Sequence, residues 1–226
     1  MAIEHTSICK KFLILCEGKD TEKFIINYLN SKALKADPRF SSDIQTFDFG
    51  GIDGLELFMQ GLQNMEHFDE VQHILVIRDA ERNVQKAENS VKKAFKMNGL
   101  PIPAECCEWE TDDGIATAYV LMPSCNKTPV PGALEDLCWD ILKENSNAGM
   151  KKDVQRYIDG VKQNYSTIRA HEHKSRLHVW LSSHDKYVSL KVGEAAQKGV
   201  FDWKSERLHS LRKLIEEGFK TLCTEA

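Results

Sequence analysis

Phe12-Leu13-Ile14-Leu15-Cys16-Glu17-Gly18 is an apolar run that stops abruptly on a carboxylate and a glycine, and its reading decides the fold. Residues 11–16 have the length of a strand buried on both faces, the kind found inside parallel sheets. A helix follows. Asp20 or Thr21 is placed to cap it, and Phe24, Ile25, Tyr28 and Leu29 fall on one face at helical spacing. The alternation then repeats outward. Residues 44–49 alternate apolar and polar as a strand does before Gly50-Gly51, and Leu55, Phe58, Met59 and Leu62 recur at helical intervals. Residues 73–77 form a third apolar run ending at Arg78-Asp79, and residues 84–97 a third amphipathic stretch that Gly99 and Pro101 stop. Three strand-helix repeats in about ninety residues predict βαβ units, hence a parallel sheet covered by helices.

Two more strands are expected, a weaker one over 105–110 and a stronger one over 115–122, then a loop holding Pro123, Pro129 and Pro131 and a helix over 132–143. The small polar stretch 145–149 marks a boundary. The expectation is therefore an α/β domain over 1–145, Rossmann-like, with a mainly parallel sheet and helices on both faces, followed by a mostly helical basic region over 146–226. In the latter, Val154, Tyr157, Ile158, Val161 and Tyr165 mark one helix, and Leu208, Leu211, Ile215, Phe219 and Leu222 another. Leu177, Val179 and Leu181 alternate with His178, Trp180 and Ser182, which reads either as a strand with one buried side or as a solvated helix face with Trp180 in the core.

Composition narrows the class. With 226 residues, 42% hydrophobic and 28% charged, the chain is neither disordered, collagenous nor a coiled coil. Its apolar runs fall far short of the roughly 20 residues a membrane-spanning helix needs. No apolar segment follows a basic start in residues 1–11, and the seven cysteines are odd in number without a CxxC pair. A cytoplasmic protein with reduced thiols is expected. The net charge of −4 hides an asymmetry: residues 1–150 carry 15 Lys+Arg against 24 Asp+Glu, residues 151–226 carry 15 against 10. A metal site beside a polyanion-binding surface would have this distribution, and so would a merely soluble chain.

In open α/β sheets ligands collect at the carboxyl ends of strands. Here those ends are acidic: Glu17 follows the first strand, Asp79 and Glu81 the third. Carboxylates gathered on one edge repel one another unless a cation neutralises them, and a hard divalent ion such as Mg²⁺ or Mn²⁺ prefers such oxygen ligands. Either residue alone also reads as an acidic charge at a helix start. The densest basic cluster contains Arg169, His171, His173, Lys174, Arg176 and His178, with Trp180 available to stack on a base. Lys19, Arg169, Lys174 and Arg176 are the candidate nucleic-acid contacts. No GxxxxGK[ST] loop and no GxGxxG fingerprint is present, which excludes a P-loop NTPase and disfavours dinucleotide binding.

The segments Leu13-Ile14-Leu15-Cys16-Glu17-Gly18-Lys19-Asp20, Gly50-Gly51 and Ile74-Leu75-Val76-Ile77-Arg78-Asp79-Ala80-Glu81 together resemble a Toprim domain, the fold of topoisomerases, primases, small maturase ribonucleases and OLD-family nucleases. Val120-Leu121-Met122-Pro123 and Gly132-Ala133-Leu134-Glu135-Asp136-Leu137 resemble more narrowly an uncharacterised bacterial Toprim-like family, the domain of unknown function thirty-two twenty-six. The resemblance implies that Glu17 is a metal ligand or general acid/base and that Asp79 and Glu81 hold Mg²⁺ or Mn²⁺. Thr21 stands where several relatives carry an acid, and Glu135 is either a further ligand or only a charge at a helix start. The implied function is metal-dependent phosphodiester chemistry on DNA or RNA, as in a nuclease. The alternative is a non-catalytic Toprim-like module that partners a separate ATPase, for example in phage defence; self-association is a further possible partnership.

Overall fold

A computed structural model describes residues 7–34, 40–51, 53–143, 148–165 and 172–224. In chain order the elements are β1 Phe12–Cys16, α1 Lys19–Leu29, α2 Phe40–Asp43, β2 Ile44–Asp48, α3 Leu55–Gln63, β3 His73–Asp79, α4 Val84–Met97, β4 Glu110–Asp112 and β5 Ile115–Met122. They continue with α5 Leu134–Asp140, α6 Ala148–Asn164, α7 Glu172–Ser182, α8 Val192–Gln197 and α9 His209–Thr224. The sheet runs β2-β1-β3-β5-β4, with β1, β2, β3 and β5 parallel and β4 antiparallel to β5. No helix among the described residues is long and apolar enough to cross a membrane.

Period-2 alternation sends each central strand to two cores. Phe12, Ile14 and Cys16 of β1, Leu75 and Ile77 of β3, and Ala118 and Val120 of β5 face one side, where α1 and α5 to α9 cover them. Leu13 and Leu15, Ile74 and Val76, and Tyr119 and Leu121 face the other, covered by α3 and α4. The helices after residue 146 thus share one continuous hydrophobic core with the sheet. The expected boundary at 145/146 falls on residues outside those described.

Two expectations need correction, and one open alternative is decided. The strand expected over 105–110 lies instead at Glu110–Asp112, where Asp113 and Gly114, with φ of 45° and 81°, close a tight hairpin onto β5. Two successive positive φ values match the twist of adjacent strands, which is why an Asp-Gly pair is favoured there. The alternating stretch 177–182 belongs to α7, with Leu177 and Trp180 buried, so Trp180 is a core residue. The α1 cap is neither Asp20 nor Thr21 but Gly18 at φ 85°, because Asp20 accepts the Gly193 N–H of α8 and Thr21 donates to the Glu17 carbonyl.

Candidate functional site

Strand order creates the site. β2 lies on one side of β1 and β3 on the other, so the strand order reverses at β1 and β3, whose carboxyl ends form the switch point where open α/β sheets bind ligands. Glu17 is the first residue past β1 and Asp79 the last of β3. Glu17 donates its backbone N–H to the Ile77 carbonyl at 3.0 Å, and its Oε2 accepts the Asp79 N–H at 3.1 Å. Arg78 Nε stands 3.5 Å from the same oxygen, and its Nη1 donates to Ser90 Oγ at 3.0 Å. Burial raises the Glu17 carboxyl against the opposing pull of Arg78.

Asp79 joins the edge to α5: its Oδ1 accepts the Leu134 N–H at 2.9 Å. Burial, then the charges of Glu17 and Glu135, push its carboxyl well above the usual range. Glu81, exposed at φ 54°, exchanges two backbone hydrogen bonds of 2.8 Å with Gly132 and so pins the loop before α5 to the end of β3. Gly132 is required there: at φ 144° a Cβ would sit 2.7 Å from Asp136 Oδ2 and 2.9 Å from Pro123 Cδ.

The structure therefore brings Glu17, Asp79, Glu81 and Glu135 to one sheet edge. Among the described residues, no group of three or more His, Cys, Asp or Glu side chains closes on a common point as a formed metal cage would. The donor chemistry still fits a hard cation: Glu17 and Asp79 are each anchored through one oxygen, while Glu17 Oε1 and Asp79 Oδ2 accept no hydrogen bond from described residues.

Of the basic candidates, Lys174 places its Nζ 3.7 Å from Glu135 Oε1. Arg176 donates from Nη2 to Asp136 Oδ1 at 2.5 Å and lies over the Trp139 ring, 5.3 Å from its centroid. Lys19, exposed, reaches Glu22 at 3.2 Å and Asp48 at 3.9 Å. Arg169 lies outside the described residues. Asp136 is the participant that sequence reading passed over; its Oδ2 accepts the Ala133 N–H at 3.0 Å, three residues back, and that spacing of an acid from a helix start was the available signal. Arg176→Ala removes the 2.5 Å hydrogen bond and the ion pair to the half-buried Asp136, so it is expected to cost about 2 kcal/mol in urea unfolding. Lys174→Ala, at an exposed and longer contact, should cost less than about 0.5 kcal/mol.

No curated protein and no solved structure matches the chain significantly. One family, described as "Protein of unknown function (DUF3226)", matches residues 11–220, from the start of β1 into α9, and so takes in every part of the carboxylate edge together with the helices behind it. The chain belongs to the DUF3226 family.

Proposed function

We propose that this protein is a divalent-metal-dependent nuclease acting on nucleic-acid phosphodiesters. One observation carries the reading: two part-buried carboxylates, Glu17 and Asp79, occupy the switch point of the sheet, each with an uncommitted oxygen and each raised above its ordinary range. Such a pair is costly to ionise unless a cation is present. Mg²⁺ and Mn²⁺ need only one or two protein carboxylates, because they retain water ligands that a phosphate displaces. Glu17 and Asp79 would hold the ion, with Glu81 and Glu135 at the rim. A bound ion would supply charge stabilisation on the phosphate oxygens. The chain's own part is positioning: Arg78 and the Asp79 N–H fix the Glu17 carboxylate, and the Leu134 N–H fixes Asp79. The Toprim likeness of residues 13–20 and 74–81 supports the same reading.

Melting in Mn²⁺ tests it. An ion that binds only the folded state at a hundred times its Kd adds about 2.7 kcal/mol, which for a chain of this size raises Tm by roughly 5–10 °C. Asp79→Asn keeps the acceptor for Leu134 and removes the charge, so it should fold and show no shift. An unchanged wild-type Tm in millimolar Mn²⁺ would refute the metal assignment. A second reading, a non-catalytic module working beside a separate ATPase, draws on the Lys174–Glu135 and Arg176–Asp136 pairs, which offset acids of this edge from within the chain. Nucleic-acid binding unaffected by metal and without cleavage would favour it.

A further inference from the structure

We infer that a second pocket, on the α4 side of the same sheet edge, binds a phosphomonoester group. The cavity measures about 330 Å³, within the range of small-ligand sites, and Arg78, Arg82, Lys86 and Ser90 contribute to its lining. Arg78, 2% exposed, is part of that lining; its Nε, which makes no hydrogen bond among the described residues, faces the Glu17 carboxylate. Of its five N–H donors only one, on Nη1, is used in a hydrogen bond among the described residues, so the terminal nitrogens keep donors for an anion. Glu17, 3.5 Å from Nε, answers its charge from the carboxylate side only. On the pocket side Ser90 Oγ already accepts from Arg78 Nη1, so its own hydroxyl proton is free to be donated.

Arg82 and Lys86 line the same pocket and form no ion pair with any described carboxylate. Their neighbours on α4 behave differently: Lys92 is paired with Glu88 and Lys93 with Glu56, each at 2.8 Å. The same pocket borders the start of the 14-residue α4, where Asn83 accepts the Lys86 N–H. The N–H groups of Val84 and Gln85 thus lack an acceptor within the helix, and its positive end faces the cavity rim. Three cations, a hydroxyl donor and a helix start converge on one small cavity. Forked guanidinium donors suit the tetrahedral oxygens of a phosphate dianion.

Two acids, Asp53 and Glu81, share the lining. Glu81 also belongs to the carboxylate edge, so the pocket adjoins that edge. A phosphate seated there lies beside the candidate metal holders. Assigning that phosphate to the end of a nucleic-acid strand rests on the nuclease reading; the pocket itself does not.

The shared chemistry has two sources, a terminal phosphate of a strand or a free nucleotide, and binding measured in EDTA separates them. Fluorescence anisotropy would compare single-stranded oligonucleotides of one sequence with and without a terminal phosphate, in competition with inorganic phosphate and with a nucleoside monophosphate. The phosphorylated strand should bind about tenfold more tightly, and inorganic phosphate should compete. The R82A/K86A double variant, altered only at exposed positions, should lose that preference, whereas Lys93→Ala should keep it. If the nucleoside monophosphate binds as tightly as the phosphorylated strand, the pocket is a nucleotide-phosphate site. Equal affinity for both strands with no competition by phosphate, or a preference retained in the double variant, overturns the proposal. Because no metal is present, a failed Mn²⁺ melting shift leaves this result standing, and the converse holds equally.

Discussion

Glu17→Gln is expected to lower Mn²⁺-dependent cleavage of plasmid DNA or RNA by about a hundredfold to a thousandfold while leaving nucleic-acid affinity largely intact. The amide is close to isosteric and still accepts the Asp79 N–H now bonded at 3.1 Å, so the β1 and β3 ends stay joined. What disappears is a negative charge that, on the nuclease reading, would help hold the ion at the reacting phosphate, and losses of this size are typical when one such electrostatic contact is removed. Part of the effect will be structural, because Arg78 is 2% exposed and Glu17 is the counter-ion of its Nε. A buried guanidinium deprived of its carboxylate destabilises a fold by several kcal/mol. Ser90→Ala separates the two contributions, since it removes the other Arg78 contact and leaves every carboxylate in place. It should lower stability and, on circular plasmid DNA, which offers no terminal phosphate to the pocket that Ser90 lines, retain cleavage per folded molecule. Full cleavage by the folded Glu17→Gln protein would end the enzymatic assignment. Glu135→Gln should match the Glu17 loss only if a second ion binds beside the first, because Glu17, Asp79 and Glu81 alone are too few to hold two.

Those residues were legible because strand ends are local features. An apolar run that breaks at Glu17-Gly18, and another that breaks at Asp79, place both carboxylates on one edge as soon as the strands are parallel, and the register of β1 with β3 bears this out. The 14-residue α4 was legible for the same reason, its apolar spacing lying within one segment. The β4 hairpin was missed although Asp113-Gly114 announces it, because a three-residue strand with every position exposed has no apolar alternation to detect. In α7 the apolar residues coincide with a period of two over a few positions, and only packing against the sheet-side core decides for helix. The pairings that close the site from behind are non-local. Arg176 meets Asp136 across 40 residues and Thr221 meets His73 across 148, and nothing in the spacing of either partner announces the other.

The His73–Thr221 contact yields the second large effect, a loss of stability on acidification. His73 opens β3 and is 7% exposed, with the rings of Phe12 and Trp109 at 5.4 and 5.1 Å. Thr221 Oγ1 lies 2.8 Å from the Gly218 carbonyl, to which it donates, so toward His73 Nε2, also at 2.8 Å, it acts as acceptor. With the Thr221 proton given to Gly218, the neutral ring carries its proton on Nε2, and Nδ1 is buried without a partner among the described residues. Protonation would put a second N–H on Nδ1 among apolar groups with no acceptor, and burial accordingly lowers the His73 pKa from 6.5 to about 4. The unfolded chain takes up this proton near pH 6.5 and the folded chain only near pH 4, so stability present above pH 6.5 drains away as pH falls between those values. At 1.36 kcal/mol per unit the loss reaches about 3 kcal/mol. The raised carboxyls of Glu17 and Asp79 act in the opposite direction as pH falls, so the measurement is a difference. Urea unfolding of the wild type and of His73→Gln, which retains a donor for Thr221 and cannot titrate, should diverge below pH 6.5. The wild type should lose about 3 kcal/mol more than the variant by pH 4. Parallel pH profiles for the two proteins would show that His73 is protonated in the folded state as readily as in the unfolded one, and that the orphaned Nδ1 finds an acceptor when it charges.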